Sequence, residues 1–398
     1  MKMPAAAIRE EIRKNGDISF ARFMELALYC PETGYYETKK DTVGQRGDFI
    51  TSVSTGSLFG ELLAFQFAAW LGELKIEKEK LKIIEAGAHD GRLAADILNW
   101  LKTHRPKLFS GIEYVILEPS SRRQEWQQET LKNFGPHVRW ISQFKHPNIQ
   151  TSHGIIFSNE LLDAFPVHRH GWDARTKEWF EWGVTLDGNK LVWARDFAWE
   201  RRHLAGENLC RAPMPAGKMP ALPEISRDLL AVLPDNYTIE TSPAAENWWR
   251  EAAGILQCGK LLTIDYGFTA DEMFSPARPR GTLRAYHRHH VTDDLLASPG
   301  EQDLTAHVNF STLQKAGEAA GLKTENFCPQ PQFLTRILEK AVTEKLFLEW
   351  NASRTRQFQT LTHPEHLGRA FRVLVQSIQR RRLSVGNKAV AAAKKTAA

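Results

Sequence analysis

Between residues 81 and 104 the chain reads LKIIEAGAHDGRLAADILNWLKTH, a short apolar strand that runs into a glycine turn and then into a helix. An apolar strand of this kind is buried on both faces, so it demands a covering layer on each side. The unit then recurs. YVILEPS (114–120) reads as a second strand and SRRQEWQQETLKNF as a second helix. HVRWIS (137–142) and GIIFSNE (154–160) read as a third and fourth strand, and KLLTIDYG (260–267) as a fifth. Strand–helix alternation predicts the α/β class: a Rossmann-like, mostly parallel sheet with helices on both faces. Its first units should cross over right-handed.

The rest of the chain is organised around that sheet. A length of 398 residues suits one large α/β domain with an insertion or second lobe. We expect a core at 76–167 and 237–330. Ahead of it, residues 1–75 should hold helices and a loop. That loop, CPETGYYETKKDTVGQRGDFITSVSTG, lacks periodicity, and loops this long are usually functional or mobile. KEWFEWGVTLDGNKLVWARD (177–196) is two β-like runs joined at Asp187-Gly188, a strong hairpin signal. It opens an inserted α+β subdomain over 168–236. C-terminal helices are expected at 331–385, and a flexible basic tail at 386–398.

Composition excludes several classes. Cys30, Cys210, Cys258 and Cys328 form no C-x-x-C pair and no metal-ligand spacing, so we expect no metal and a reducing compartment, the cytoplasm. MKMPAAAIREEIRKNG has early acids and no apolar h-region, unlike a secretory signal. No apolar run is long enough to span a bilayer. A net charge of +5 over this length is too weak to argue for specific nucleic-acid binding.

Candidate chemistry lies at the strand ends, where open α/β sheets bind ligands. Gly87 and Gly91 let the first turn bend sharply and approach a ligand closely. The turn admits a nicotinamide, flavin or S-adenosylmethionine ligand. His89 interrupts a full G-x-G-x-x-G, which weighs against a pyrophosphate. Glu85, at the end of the first strand, suits the ammonium group of S-adenosylmethionine. Glu118, followed by Pro119, ends the second strand, where a carboxylate can accept both hydroxyls of a ribose. Asn159, Glu160 and Asp163 follow the fourth strand, and Asp265 ends the fifth. Arg284, Tyr286, Asp303, Thr305 and His307 lie in later polar segments.

The blocks GDFITS, FGELLA, EAGAHDGRLAADIL, LEPS, SNELLDAFPV, IDYG, GTLRAY and PGEQDLTAHVNF, in this order, resemble the MidA family over residues 15–325. That resemblance implies a class I methyltransferase fold and S-adenosyl-L-methionine as cofactor. It assigns Glu85, Gly87, Gly91 and Glu118 to the cofactor site. Gly47, Asp48, Phe49 and Thr51 match the family's block thought to fold over the cofactor. Asn159, Glu160 and Asp163 match its N-E-x-x-D block, and Asp265 and Tyr266 its D-Y-G block. Mitochondrial members dimethylate an arginine of a respiratory complex I subunit, which implies a protein acceptor. An arginine acceptor would need carboxylates, and we assign that work to Glu160 with Asp163 or Asp265. His89 stands where the family has glycine, which keeps open an alternative: an assembly factor that retains the fold and does little chemistry.

Overall fold

The eight-stranded central sheet runs in the order Lys323–Pro329, Phe371–Ile378, Leu256–Phe268, Ser152–Asn159, Leu81–Ala86, Ile112–Leu117 and Val138–Ile141. The short strand Val308–Asn309 pairs with the end of Leu256–Phe268. This computed structural model describes residues 4–38, 51–74, 76, 80–145, 149, 152–195, 227–275, 278–287, 290–347 and 350–378. The five strands expected from the sequence are all present and lie parallel to one another.

Period-two alternation decides which side chain faces which layer. Ile83, Tyr114, Ile116, Ile155 and Phe157 point to one face, where they meet Leu62, Phe67, Leu93 and Ile97 of the helices Leu58–Glu73 and Arg92–His104. Ile84, Val115, Ile156 and Leu261 point to the other, against Trp249, Ala253, Phe310 and Leu313 of Pro243–Ile255 and Phe310–Ala319. Both faces are therefore dry, as the apolar runs required. Side-chain caps start the helices: Ser120 Oγ accepts the Arg123 N–H, and Asn309 Oδ1 accepts those of Ser311 and Thr312.

The C-terminal part departs from expectation. Helices Gln330–Thr343 and Ala352–Thr362 are present, but Phe371–Ile378 is a strand, not a helix. It enters antiparallel between Leu256–Phe268 and Lys323–Pro329. FRVLVQSI is buried on both faces, so its apolar positions carry no period that separates strand from helix. One polar side chain secures it. Gln376 accepts from Trp249 Nε1 at 2.8 Å and donates to the Gln314 carbonyl and Thr324 Oγ1, each at 2.9 Å.

A second lobe sits beside the sheet's carboxyl edge. Its five antiparallel strands are Ile18–Ser19, Glu178–Asp187, His168–Asp173, Thr238–Thr241 and Lys190–Ala194. The Asp187–Lys190 pair closes the expected hairpin. The lobe is larger than the 168–236 insertion. The helices Pro4–Asn15 and Phe20–Tyr29 share a core with it through Ile8, Phe20, Phe23, Val184 and Leu191, which Leu283 and Leu304 complete. Residues 196–226 of the insertion and the tail at 386–398 lie outside the described residues.

Ending the chain after Arg369 removes a strand with partners on both sides. Circular dichroism on heating should show that the cooperative unfolding transition is lost. A truncated chain that melts like the full one would contradict the placement of Phe371–Ile378.

Candidate functional site

Strand order reverses between Leu81–Ala86 and Ser152–Asn159: the chain leaves one strand toward Ile112–Leu117 and later returns on its other side. A crevice opens beyond the carboxyl ends at such a point. The first turn lines it. Gly87 (φ 74°) leaves room for Leu161, whose Cδ1 would lie 2.8 Å from any Cβ there. Gly91 (φ 85°) starts the helix Arg92–His104. Between them His89 takes a left-handed φ of 47°, the conformation glycine would adopt without strain. Beneath the turn Glu85 is buried and accepts the Tyr114 hydroxyl at 2.5 Å. Burial pushes its carboxyl up to about 8, against the Tyr114 bond.

Glu118 directly follows the next strand, Ile112–Leu117, and is also buried. Its Oε1 accepts the Ser120 N–H at 2.9 Å and the Arg123 guanidinium at 2.9 Å, and its Oε2 accepts Gln127 Nε2 at 3.2 Å. Pro119 follows it, half-buried. Arg123 and Ser120 also hold Glu37, from the short helix Tyr35–Thr38, at 3.7 and 2.7 Å.

The fourth strand delivers the acids. Glu160 takes a positive φ of 50°, and its N–H donates to the Ile264 carbonyl at 2.9 Å. Glu160 Oε1 accepts the Ser52 N–H at 3.0 Å and Asn159 Nδ2 at 3.1 Å. Burial raises its carboxyl to about 8, with the Ser52 and Asn159 bonds opposing and Asp265 adding to the rise. Asp163 is pushed well up by burial and then by Asp265, Asp303 and Glu160. Asp265 is fully buried and accepts the N–H groups of Leu161 (3.1 Å), Leu162 (2.8 Å) and Tyr266 (2.8 Å). That makes it a positioning residue for the Asn159–Asp163 bend.

Tyrosines surround this cluster. Tyr29 donates to the Ala164 carbonyl at 2.8 Å, and Tyr36 donates to Asp303 Oδ1 at 2.7 Å. Their rings stack 5.5 Å apart. The Ala306 N–H donates to the Asp163 carbonyl at 2.9 Å, which brings the Asp303 segment against the bend.

Most of the expected residues therefore converge: Glu85, Gly87, His89, Gly91 and Glu118 on one side of the crevice, Asn159, Glu160 and Asp163 on the other. Asp48 and Phe49 lie outside the described residues. Thr51 is buried in a local turn, exchanging bonds with Ser54, and its neighbour Ser52 is the residue that reaches Glu160. Ser52, Tyr29, Tyr36 and Gln127 were not among the expected residues. The YY pair in an aperiodic polar loop was the available signal for Tyr36.

A family profile of S-adenosyl-L-methionine-dependent methyltransferases matches residues 62–328. The protein arginine methyltransferase NDUFAF7 homolog, mitochondrial, of Drosophila melanogaster is 26% identical over 397 residues, covering 93% of this chain and 84% of its own. The rat protein of that name is 26% identical over 337 residues, covering 77% and 68%. A Burkholderia thailandensis crystal structure bound to S-adenosyl-homocysteine superposes with a TM-score of 0.76 at 30% identity, covering 94% of this chain and 92% of that one.

The crevice fits that class of ligand. Asn159 stands one residue beyond the Ala86–Ser158 pair, beside the glycine turn. Its Oδ1 is buried and makes no hydrogen bond, an acceptor that an ammonium group would satisfy. Gly87 and Gly91 leave both ends of the turn without side chains, and Glu118 retains acceptor capacity for ribose hydroxyls. When bound, the cofactor supplies an electrophilic methyl group on a sulfonium.

Two outcomes test this geometry. Asp265→Ala strands buried N–H groups and should lower the unfolding free energy in urea by roughly 3 kcal/mol or more; a loss under about 1 kcal/mol would contradict the positioning role. Glu85 and Glu160, raised from 4.5 to about 8, keep protons in the folded state that the unfolded chain has lost. Their contribution is complete below pH 4.5 and disappears as pH rises through 8. His170 and His307, lowered by burial from 6.5 to about 4, act in the opposite direction but only below 6.5. Calorimetry of the ligand-free protein should therefore show Tm falling as pH rises from about 6.5 through about 8. A rising Tm would refute the assignment.

Proposed function

The chain belongs to the MidA-like family of S-adenosyl-L-methionine-dependent methyltransferases, and from that premise we propose that its acceptor is the guanidinium of a protein arginine. The observation that carries this reading is the carboxylate cluster of Glu160, Asp163 and Asp303 beside the stacked tyrosines Tyr29 and Tyr36. A guanidinium is planar, cationic and rich in donors. Carboxylates bind it by paired, charge-assisted hydrogen bonds, and aromatic faces favour flat cations. The relatives' names as protein arginine methyltransferases point the same way.

In this reading Glu160 accepts two guanidinium N–H groups and localises a lone pair on the attacking nitrogen. The Ser52 and Asn159 bonds fix its carboxylate, so little reorganisation is left for the reaction. A carboxyl held near 8 also suits the proton that arginine releases on methylation. Asp163 neutralises the remaining cationic charge. We extend the proposal to the partner, a respiratory-complex subunit, and to the compartment. Free thiols at Cys30, Cys258 and Cys328 suit a reducing space, the cytoplasm. Among the described residues no helix is long and apolar enough to cross a membrane.

Glu160→Gln keeps the size of the side chain and removes its ionisable carboxyl. Labelled-methyl transfer to lysate proteins, with mass spectrometry of the products, should fall about a hundredfold or more while cofactor binding persists. Undiminished transfer would remove Glu160 from the mechanism, and a product other than methylarginine would overturn the acceptor.

A further inference from the structure

Gln127 lies on the helix Ser121–Leu131 and is completely buried, yet it sits between groups that line the cofactor crevice. Trp140 Nε1 donates to Gln127 Oε1 at 3.0 Å. Gln127 Nε2 donates to the His89 carbonyl at 3.1 Å and to Glu118 Oε2 at 3.2 Å. The indole N–H is a donor only, so the oxygen of the amide must face Trp140. Both amide hydrogens are thereby committed to the other side, one toward the glycine turn and one toward Glu118. The backbone is close as well: a Cβ on Gly91 would stand 3.4 Å from Gln127 Cα.

His89 holds a left-handed φ of 47° in a turn where glycine would be free of strain. A conformation of that cost persists only where its surroundings hold it, and the bond to the His89 carbonyl is such a restraint. We infer that Gln127 is a positioning residue for cofactor binding: its amide, oriented by Trp140, holds the strained His89 turn and the Glu118 carboxylate in the arrangement the cofactor meets. It does so without touching the ligand. The inference rests on the crevice being the cofactor site, which the closing experiment tests separately.

The probe is S-adenosyl-homocysteine, titrated calorimetrically into the full chain. Gln127→Met preserves volume and removes both donors. It should weaken binding roughly tenfold. Adding His89→Gly to that variant should recover much of the loss, because glycine adopts the turn unaided. A residue with only a general packing role would show no such rescue. Trp140→Phe releases the amide to rotate, and should weaken binding in the same direction with the fold intact, which covers a Gln127→Met variant that does not fold. Wild-type affinity in both Gln127→Met and Trp140→Phe would overturn the inference. So would a Gln127→Met loss that is the same with and without His89→Gly. If the unmodified chain itself fails to bind S-adenosyl-homocysteine, the cofactor site is what fails.

Discussion

A single buried carboxylate sets the geometry on which the rest of the site depends. Asp265 lies near the carboxyl end of the strand Leu256–Phe268 and accepts the N–H groups of Leu161 and Leu162, which follow the neighbouring strand. Those bonds turn the backbone sharply at Glu160, which takes a positive φ. The turn sets Asn159 beside the glycine loop and Glu160 against Ser52. Leu161 fills the space that Gly87 leaves empty. Without Asp265 the crevice would lose the wall that joins the glycine turn to Glu160.

Desolvation gives this site its chemical character. Glu85, Glu160, Asp163 and Asp265 are all raised by burial. Such a concentration of carboxyls is costly for the fold alone, and a cationic partner relieves it. S-adenosylmethionine carries positive charge at its sulfonium and its ammonium, and the proposed arginine acceptor would add another cation. The fold thus stores an electrostatic preference for cationic ligands.

The sheet's first five strands and the glycine turn were legible in the sequence because both are local. Apolar runs of strand length ending in Gly87, Glu118, Asn159 and Asp265 declare themselves in a few residues. Phe371–Ile378 was not legible, since a strand buried on both faces has no alternation and its partners lie far away in sequence. The same distance hid Tyr36, which is 267 residues from the Asp303 it bonds. Gln127 looked like any polar residue of a solvated helix, and only the fold shows that it is enclosed. Ser52 was missed by one position, because a motif marks a segment and leaves open which backbone N–H faces the acid.

A crystal structure of the chain with S-adenosyl-homocysteine tests this arrangement most directly. The ligand's ammonium should lie on Asn159 Oδ1, its ribose hydroxyls on Glu118, and its sulfur should be directed toward Glu160. A ligand bound elsewhere, or one whose sulfur points away from Glu160, would contradict it.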